Sequence, residues 1–328
     1  MNYAIYMTSD NTMVLGPEGH IILNEATTIA HSGTGKHTKS VEIGNRARDM
    51  QDKISSDITV TNLVSKGRIV NTNLARLFLM DVFKSLRLNA KSRVVFLIPN
   101  SLTTAELDEY KSAAYSAGLS DVYFVPAVIS SALSLGYRIS GDYAGLSINI
   151  SDDGTDIAVI SYYGIVSGGT IEYGGDMVSR GVKDFVRTKY QIEVSDKIVR
   201  QARTELNTLY TEDTGRLLLN GGDFSQMLNP VYLTGTDYAE IAVPVFDGIA
   251  KAARQVLVNS NPDLINDIIR GNIFISGTLA QTAGAVDFFT RELELPVMIS
   301  QTASVSAIMG ASRLINNLEL LEKIVKAN

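Results

Sequence analysis

Two short polar turns hold the residue types most able to do chemistry. Tyr6-Met7-Thr8-Ser9-Asp10-Asn11-Thr12 can be laid over Asn149-Ile150-Ser151-Asp152-Asp153-Gly154-Thr155. Each passes from an apolar run through small polar residues to a threonine and a second apolar run. Between them they place three carboxylates, Asp10, Asp152 and Asp153, beside hydroxyls and a glycine. A strand–turn–strand unit repeated at the start of each half predicts two related lobes facing one cleft. Other reactive types carry less. Gly33-Thr34-Gly35-Lys36-His37-Thr38 looks superficially like a phosphate loop, but no Ser or Thr directly follows the lysine and it sits in a hairpin, so it reads as a surface turn. His20, His31 and His37 lack metal-ligand spacing. Tyr162-Tyr163 has no interleaved basic residues and reads as strand packing. The chain has no cysteine, which excludes disulfides, thiolate metal sites and a cysteine nucleophile.

The elements around the turns follow from pattern. Tyr3–Val14 reads as a hairpin, and a second hairpin spans Ile21–Lys39. Asn73–Arg87 repeats Leu74, Leu77, Phe78, Met80, Val82 and Phe83 at helical spacing. Val94–Ile98 is a continuous apolar run stopped by Pro99, as in a strand buried on both faces. Thr103-Thr104-Ala105-Glu106 starts a helix that ends near Gly118, and Val122–Val125 forms the next strand. The pattern then restarts: strands Leu146–Ile150, Thr155–Tyr162 and Ile165–Tyr173, then helices within Met177–Leu209. Asp213–Ala239 reads as loops with short strands. A helix at Val243–Asn259, a strand at Asn272–Ser276 and helices near Ala280–Leu293 and Ser304–Ala327 complete the chain.

Composition bounds the function. The 328 residues suffice for two domains, and 45% apolar with 20% charged residues is the balance of a folded globular protein. No apolar run approaches the roughly 20 residues that span a bilayer, and the N-terminus lacks the pattern of a signal peptide, so the cytoplasm is the expected compartment. A net charge of −6 argues against nucleic acid as partner.

Several segments resemble, in order, the MreB family of bacterial actin homologues. Val94–Thr103 is similar to its strand and "P-x-x-(I/L)-T" helix start, Ala113–Gly118 to "E-A-A-x-x-A-G", and Ser131–Gly136 to "A-A-A-x-G-x-G". Asp156–Ser161 resembles "E-I-A-V-I-S", Tyr173–Asp176 "G-G-D", and Asn261–Ile268 "P-P-E-L-A-x-D-I". Leu295-Pro296-Val297 and Ala307–Gly310 complete the match. The resemblance implies an α/β, two-lobed actin-type fold with a mixed sheet in each lobe and a nucleotide cleft between them. It divides the chain into a first lobe, 1–142, with a small subdomain near 20–70, and a second, 143–328, with one near 180–242. A C-terminal helix near 312–327 is expected to return to the first lobe. It further implies ATP and Mg2+ as cofactors and head-to-tail filaments.

The resemblance also assigns residues. Ser9, Asp10, Asn11, Thr12, Asp152, Asp153, Gly154, Gly174, Gly175, Arg203 and Gly277 fall on nucleotide-binding positions. Glu106 falls on the glutamate that orients the attacking water, and Thr155 on one of the family's threonine pair. The bland readings are an acidic helix N-terminus for Glu106 and a solvated helix face for Arg203. The chain departs from the family where the metal is held: its two aspartates are replaced by Tyr6 and Asn149, and three glycines by Ser151, Asp152 and Asp153. Added carboxylates beside a polyphosphate are unfavourable unless a cation intervenes. Asp10 and Asp152 are then the candidate metal ligands.

The reading is an MreB-like cytoskeletal protein that forms or regulates filaments for cell shape or motility, with weak ATP binding and reduced hydrolysis. Candidate partners are further copies, paralogous subunits and the inner membrane surface, the last without a bulky apolar tip in Leu86–Ser92. The alternative is an active ATPase with a rebuilt metal site. A sugar kinase or chaperone of the same superfold is disfavoured by length.

Overall fold

The structure, a computed structural model, describes residues 1–33, 35–51, 57–141, 143–219, 230–270 and 273–328. Thr34 of the loop-like hexapeptide, residue 142 at the expected lobe boundary, 220–229 of the loop-rich stretch and Asn272 lie outside the described residues.

Each half builds a five-stranded mixed sheet, and the two sheets share one topology. In the first, the order is Asp121–Pro126, Arg93–Ile98, Asn2–Met7, Asn11–Leu15, Ile21–Ala26. Its first three strands run parallel and its last two pair antiparallel. In the second, Met298–Ile299, Ile273–Ser276 and Gly145–Ile150 are parallel, and Thr155–Ser161 and Gly164–Ile171 add antiparallel. The duplication legible in two short turns is therefore a duplication of the whole sheet. Arg93–Ile98 is buried along its apolar residues because helices cover both faces of the first sheet. Thr72–Leu86 and Thr104–Ser116 pack on one face through Phe78, Val82 and Tyr110.

The opposite faces of the two sheets share a core. Ala127–Ser134 and Ser306–Ile315 run between them, with Val128, Ala132, Ile308 and Leu314 packed among Tyr6, Val95, Leu97, Ala158 and Phe274. Ser130 Oγ donates to the Ala307 carbonyl at 2.6 Å, and Asn2 Nδ2 to the Ile315 carbonyl at 2.7 Å. The end of Ser306–Ile315 is thus tied to the first strand of the first sheet.

Several elements differ from the sequence reading. The second hairpin divides into strands Ile21–Ala26 and Thr28–Ser32, with Lys39–Ile43 and Ile58–Asn62 completing a separate three-stranded sheet. The helix expected from Val243 begins at Gly235, where Thr234 and Asp237 form a reciprocal capping box, and it runs through Pro244 to Val258. The Gly- and Thr-rich composition before Tyr238 and the internal proline hid those turns. The terminal helix is two, Ser306–Ile315 and Leu318–Ala327, because Asn317 accepts from the Leu320 N–H and caps a new start.

Candidate functional site: the cleft between the lobes

The two turns meet across the interface, and Tyr6 and Asn149 meet beneath them. Tyr6 is the penultimate residue of the first strand and Asn149 of its counterpart. Asn149 Nδ2 donates to Tyr6 Oη at 3.2 Å, while Asn149 Oδ1 accepts from Ser276 Oγ at 3.1 Å. Both side chains are buried. Burial, with the Asp156 charge nearby, pushes the Tyr6 phenol well above its ordinary range. The floor of the cleft is therefore a neutral pair linking one lobe to the other.

Above it, the two turns grip each other. The Ser9 N–H donates to Asp153 Oδ2 at 2.7 Å, across the lobe boundary. The Gly67 N–H, also from the first lobe, faces the same carboxylate. Gly67 is held in place by the buried Tyr110, whose hydroxyl donates to its carbonyl at 2.9 Å. The second oxygen, Asp153 Oδ1, is buried without a partner, as is Ser9 Oγ. Burial raises the Asp153 pKa, and the N–H groups of Ser9 and Gly67 oppose that rise.

The carboxylates expected to hold metal each face an arginine. Asp152 pairs with Arg203 Nη2, and Arg203 Nη1 donates to Ser179 Oγ at 3.3 Å. Asp10 pairs with Arg48 Nη1 at 2.9 Å. Among the described residues, no group of three or more His, Cys, Asp or Glu is arranged to hold a metal ion.

The remaining expected residues are mostly engaged in building the turns. Thr12 Oγ1 lies 2.9 Å from Thr27 Oγ1, fully buried. The Asn11 N–H donates to Thr8 Oγ1. Thr155 Oγ1 donates to the Tyr173 carbonyl at 2.6 Å. Gly174 caps helix Gly175–Tyr190, and the N–H groups of Gly175 and Asp176 donate to the carbonyls of Ser151 and Asp152. A Cβ at Gly175 would collide with the Asp152 carboxylate and Arg203, so the glycine admits that ion pair. Gly154 lies opposite the Ile171 carbonyl. Gly277, at φ +96°, gives its N–H to the Ala303 carbonyl, and a side chain there would collide with the Ile150 carbonyl. Glu106 is spent on its own helix: Oε2 accepts from the Thr103 N–H at 2.8 Å, and Oε1 pairs with Arg68 at 2.6 Å. The Thr103 backbone and hydroxyl hold its carboxyl below the usual range.

Sequence reasoning missed three groups. Lys66 and Glu172 pair across the mouth at 2.8 Å. Arg48 lies on a helix with no distinguishing pattern. Asp156 is buried at the lobe boundary, and its pKa is pushed up to about 6, chiefly by that burial. Thr170 Oγ1 lies 2.5 Å from Asp156 Oδ1 and 2.7 Å from Asn100 Oδ1. The one hydroxyl proton of Thr170 serves either of these oxygens, and Ser101 Oγ donates to Asn100 Oδ1 at 3.0 Å. Asn100 belongs to the first lobe, which makes this a third tie across the boundary. A "P-N-S" after a strand offered no sign of it.

The open part of the cleft is a cavity of about 480 Å³ between the lobes. Its walls carry Arg48, Lys66, Arg180, Lys183, Arg200 and Arg203 against Asp10, Asp152, Asp153, Glu172, Asp176 and Asp196. Four pairs, Arg48–Asp10, Lys66–Glu172, Lys183–Asp196 and Arg203–Asp152, already neutralise most of that charge. Beside Tyr6, Asp153 and Pro99 only about 30 Å³ is open, space for one or two waters. The phosphate end of a nucleotide does not fit these residues as they stand. The Ser9 N–H already has an anion, the helix N–H groups at Gly175 and Asp176 are spent on carbonyls, and the nearest carboxylates oppose a polyphosphate.

Duplicated mixed sheets, with helices between them and a cleft at the ends of the repeated strands, define the actin-type class. A family model described as MreB/Mbl protein matches residues 1–323, and the chain belongs to that family. The Mbl cell shape-determining protein of Bacillus subtilis is 24% identical over 311 residues, 92% of each chain. The MreB cell shape-determining protein of Escherichia coli is 20% identical over 325 residues, 97% of this chain and 94% of that one. Among solved structures, MreB5 of Spiroplasma citri bound to ADP superposes with a TM-score of 0.87 at 21% identity, covering 97% and 96% of the two chains. A MamK double helical filament superposes at 0.78 and 14% identity, covering 97% and 99%. No helix among the described residues is long and apolar enough to cross a membrane.

Proposed function

We propose that this MreB-family chain is a cytoplasmic filament subunit serving cell shape or motility, and that its cleft binds ATP weakly and hydrolyses it slowly or not at all. The observation that carries this is the Tyr6–Asn149 hydrogen bond. Where the family has two aspartates, a neutral tyrosine and a neutral asparagine satisfy each other. Phosphoryl transfer depends on a metal ion to neutralise developing charge, so this exchange weakens hydrolysis more than binding. Nucleotide affinity is reduced because Arg48, Lys66, Lys183 and Arg203, four of the six cations that line the cleft, are already paired. The structures of MreB5 bound to ADP and to AMPPNP support a nucleotide as the ligand class.

Self-association is supported by the filament structure of MamK. Head-to-tail stacking is a heterologous contact that does not close, which suits a filament. Co-assembly with paralogous subunits and apposition to the inner membrane face belong to the same reading. The C-terminal helix is a poor membrane anchor, since Leu321 and Ile324 of its apolar stripe are buried in the inter-lobe core. Sedimentation of the purified chain over a concentration series, with and without Mg·ATP, tests the reading. Pelleting above a critical concentration in both conditions is expected. A chain that stays in the supernatant at every concentration and nucleotide contradicts it.

A further inference from the structure

The disagreement between this cleft and a polyphosphate has a specific centre. Asp153 belongs to the second lobe, yet its carboxylate lies against backbone N–H groups of the first, at Ser9 and Gly67. A backbone N–H from a turn is the type of donor that receives a phosphate oxygen, and a carboxylate is the side chain that can stand in for one. The carboxylate is half-buried with Oδ1 closed off, Tyr110 Oη donates to the Gly67 carbonyl beside it, and on its Tyr6 and Pro99 side only about 30 Å³ is open. The same turn is stitched to the second lobe by its own carbonyls, which accept from the N–H groups of Gly175 and Asp176. The turn that bears Asp153 is therefore part of a stiff body, and the Ser9 contact joins two stiff bodies.

We propose that Asp153 is a built-in stand-in for a terminal phosphate, a clasp that bridges the two turns and holds the lobes together without nucleotide. This deepens the reading of the cleft as a diverged nucleotide site and rests on it. A nucleotide must displace the carboxylate from the Ser9 N–H before its phosphates can take that donor. Its apparent affinity is divided by the fraction of chains with the clasp open, so a clasp open in one chain in a hundred costs about 100-fold. Lobe closure, which a nucleotide would otherwise control, is constitutive here.

Hydrogen exchange of the Ser9 amide in the full chain reads the clasp directly, with the Ile148 amide in the second sheet as an internal reference. Without nucleotide, wild type should protect Ser9. Asp153→Ala should speed Ser9 exchange by about tenfold or more while leaving Ile148 unchanged, since only a local opening is created. The same variant should bind Mg·ATP at least about tenfold more tightly than wild type by calorimetry. Mg·ATP should restore Ser9 protection in the variant, and AMP, which lacks the terminal phosphates, should not. Asp153→Asn keeps the volume and removes the charge, and covers the case in which the alanine variant does not fold; it too should exchange faster at Ser9 and bind Mg·ATP more tightly. Ser9 exchange at the wild-type rate in both variants overturns the clasp. Fast exchange that Mg·ATP does not slow, or that AMP slows equally, overturns the phosphate stand-in. Neither result touches the filament reading, which stands or falls on pelleting.

Discussion

At the scale of single residues, substitution in this cleft is compensated rather than scattered. Tyr6 and Asn149, buried beneath the two turns, bond to each other. Tyr6→Phe would leave the Asn149 amide donor buried without that partner, a loss of about 1–3 kcal/mol. The urea midpoint should fall accordingly with an unchanged slope, and an unaltered midpoint would show that the pair does not stabilise the fold. Asp156 gives a pH signature. Its carboxyl sits near 6 when folded against an ordinary value of 3.8, so between those values the folded chain holds more protons than the unfolded one. Stability from this group is greatest at low pH and declines as pH rises from about 4 to about 6, then levels off. Asp176, pushed up to about 6 mainly by burial and then by Asp152 and Asp153, acts in the same window. Asp156→Asn should flatten part of that decline in thermal unfolding between pH 4.5 and 7, and an unchanged decline would show that Asp156 does not contribute to it. What the sequence allowed at this scale was the location of both turns. It could not show that Asp10 and Asp152 face arginines, because Arg48 and Arg203 reach them from helices distant in sequence.

At the scale of elements, the turns are rigid because helices and strands from elsewhere close over them. The helix Asp196–Glu205 brings Arg203 to Asp152, whose carboxylate is only 4% exposed. Arg203→Met would leave that charge buried and uncompensated, destabilising by about 3–5 kcal/mol, whereas the matched pair itself adds little over an apolar one. Chemical denaturation of Arg203→Met beside Asp152→Asn/Arg203→Met separates the two contributions: the double variant should recover much of the loss. Equal midpoints for wild type and Arg203→Met would show that the pair is not structural. The long apolar strands and helix starts were legible because their signal is local: Thr103 and Glu106 announce a capping box, and Val94–Ile98 a buried strand. The helix at Gly235–Val258 was legible only in part, since its start is written in capping chemistry within a polar stretch and Pro244 interrupts it. The break at Asn316-Asn317 was hidden by a continuous apolar stripe on either side.

At the scale of the whole molecule, two lobes of one topology are joined through a shared helical core, a neutral floor, the Asp153 contact and the Lys66–Glu172 pair at the mouth. The last of these is exposed on both sides and contributes little to stability, so closure rests on the buried contacts. Such a molecule can present one shape to neighbouring subunits with or without ligand, which suits assembly uncoupled from nucleotide turnover. Glu106 fits that account, being held by Thr103 and Arg68 on its own lobe. The most direct measurement is phosphate release from Mg·ATP by the assembled wild-type chain beside Glu106→Ala. The expected result is release at or little above the buffer control, equal in both, with pelleting retained in the wild type. Release well above the control that Glu106→Ala abolishes would contradict it, and would mean that the acidic turns rebuild a working metal site.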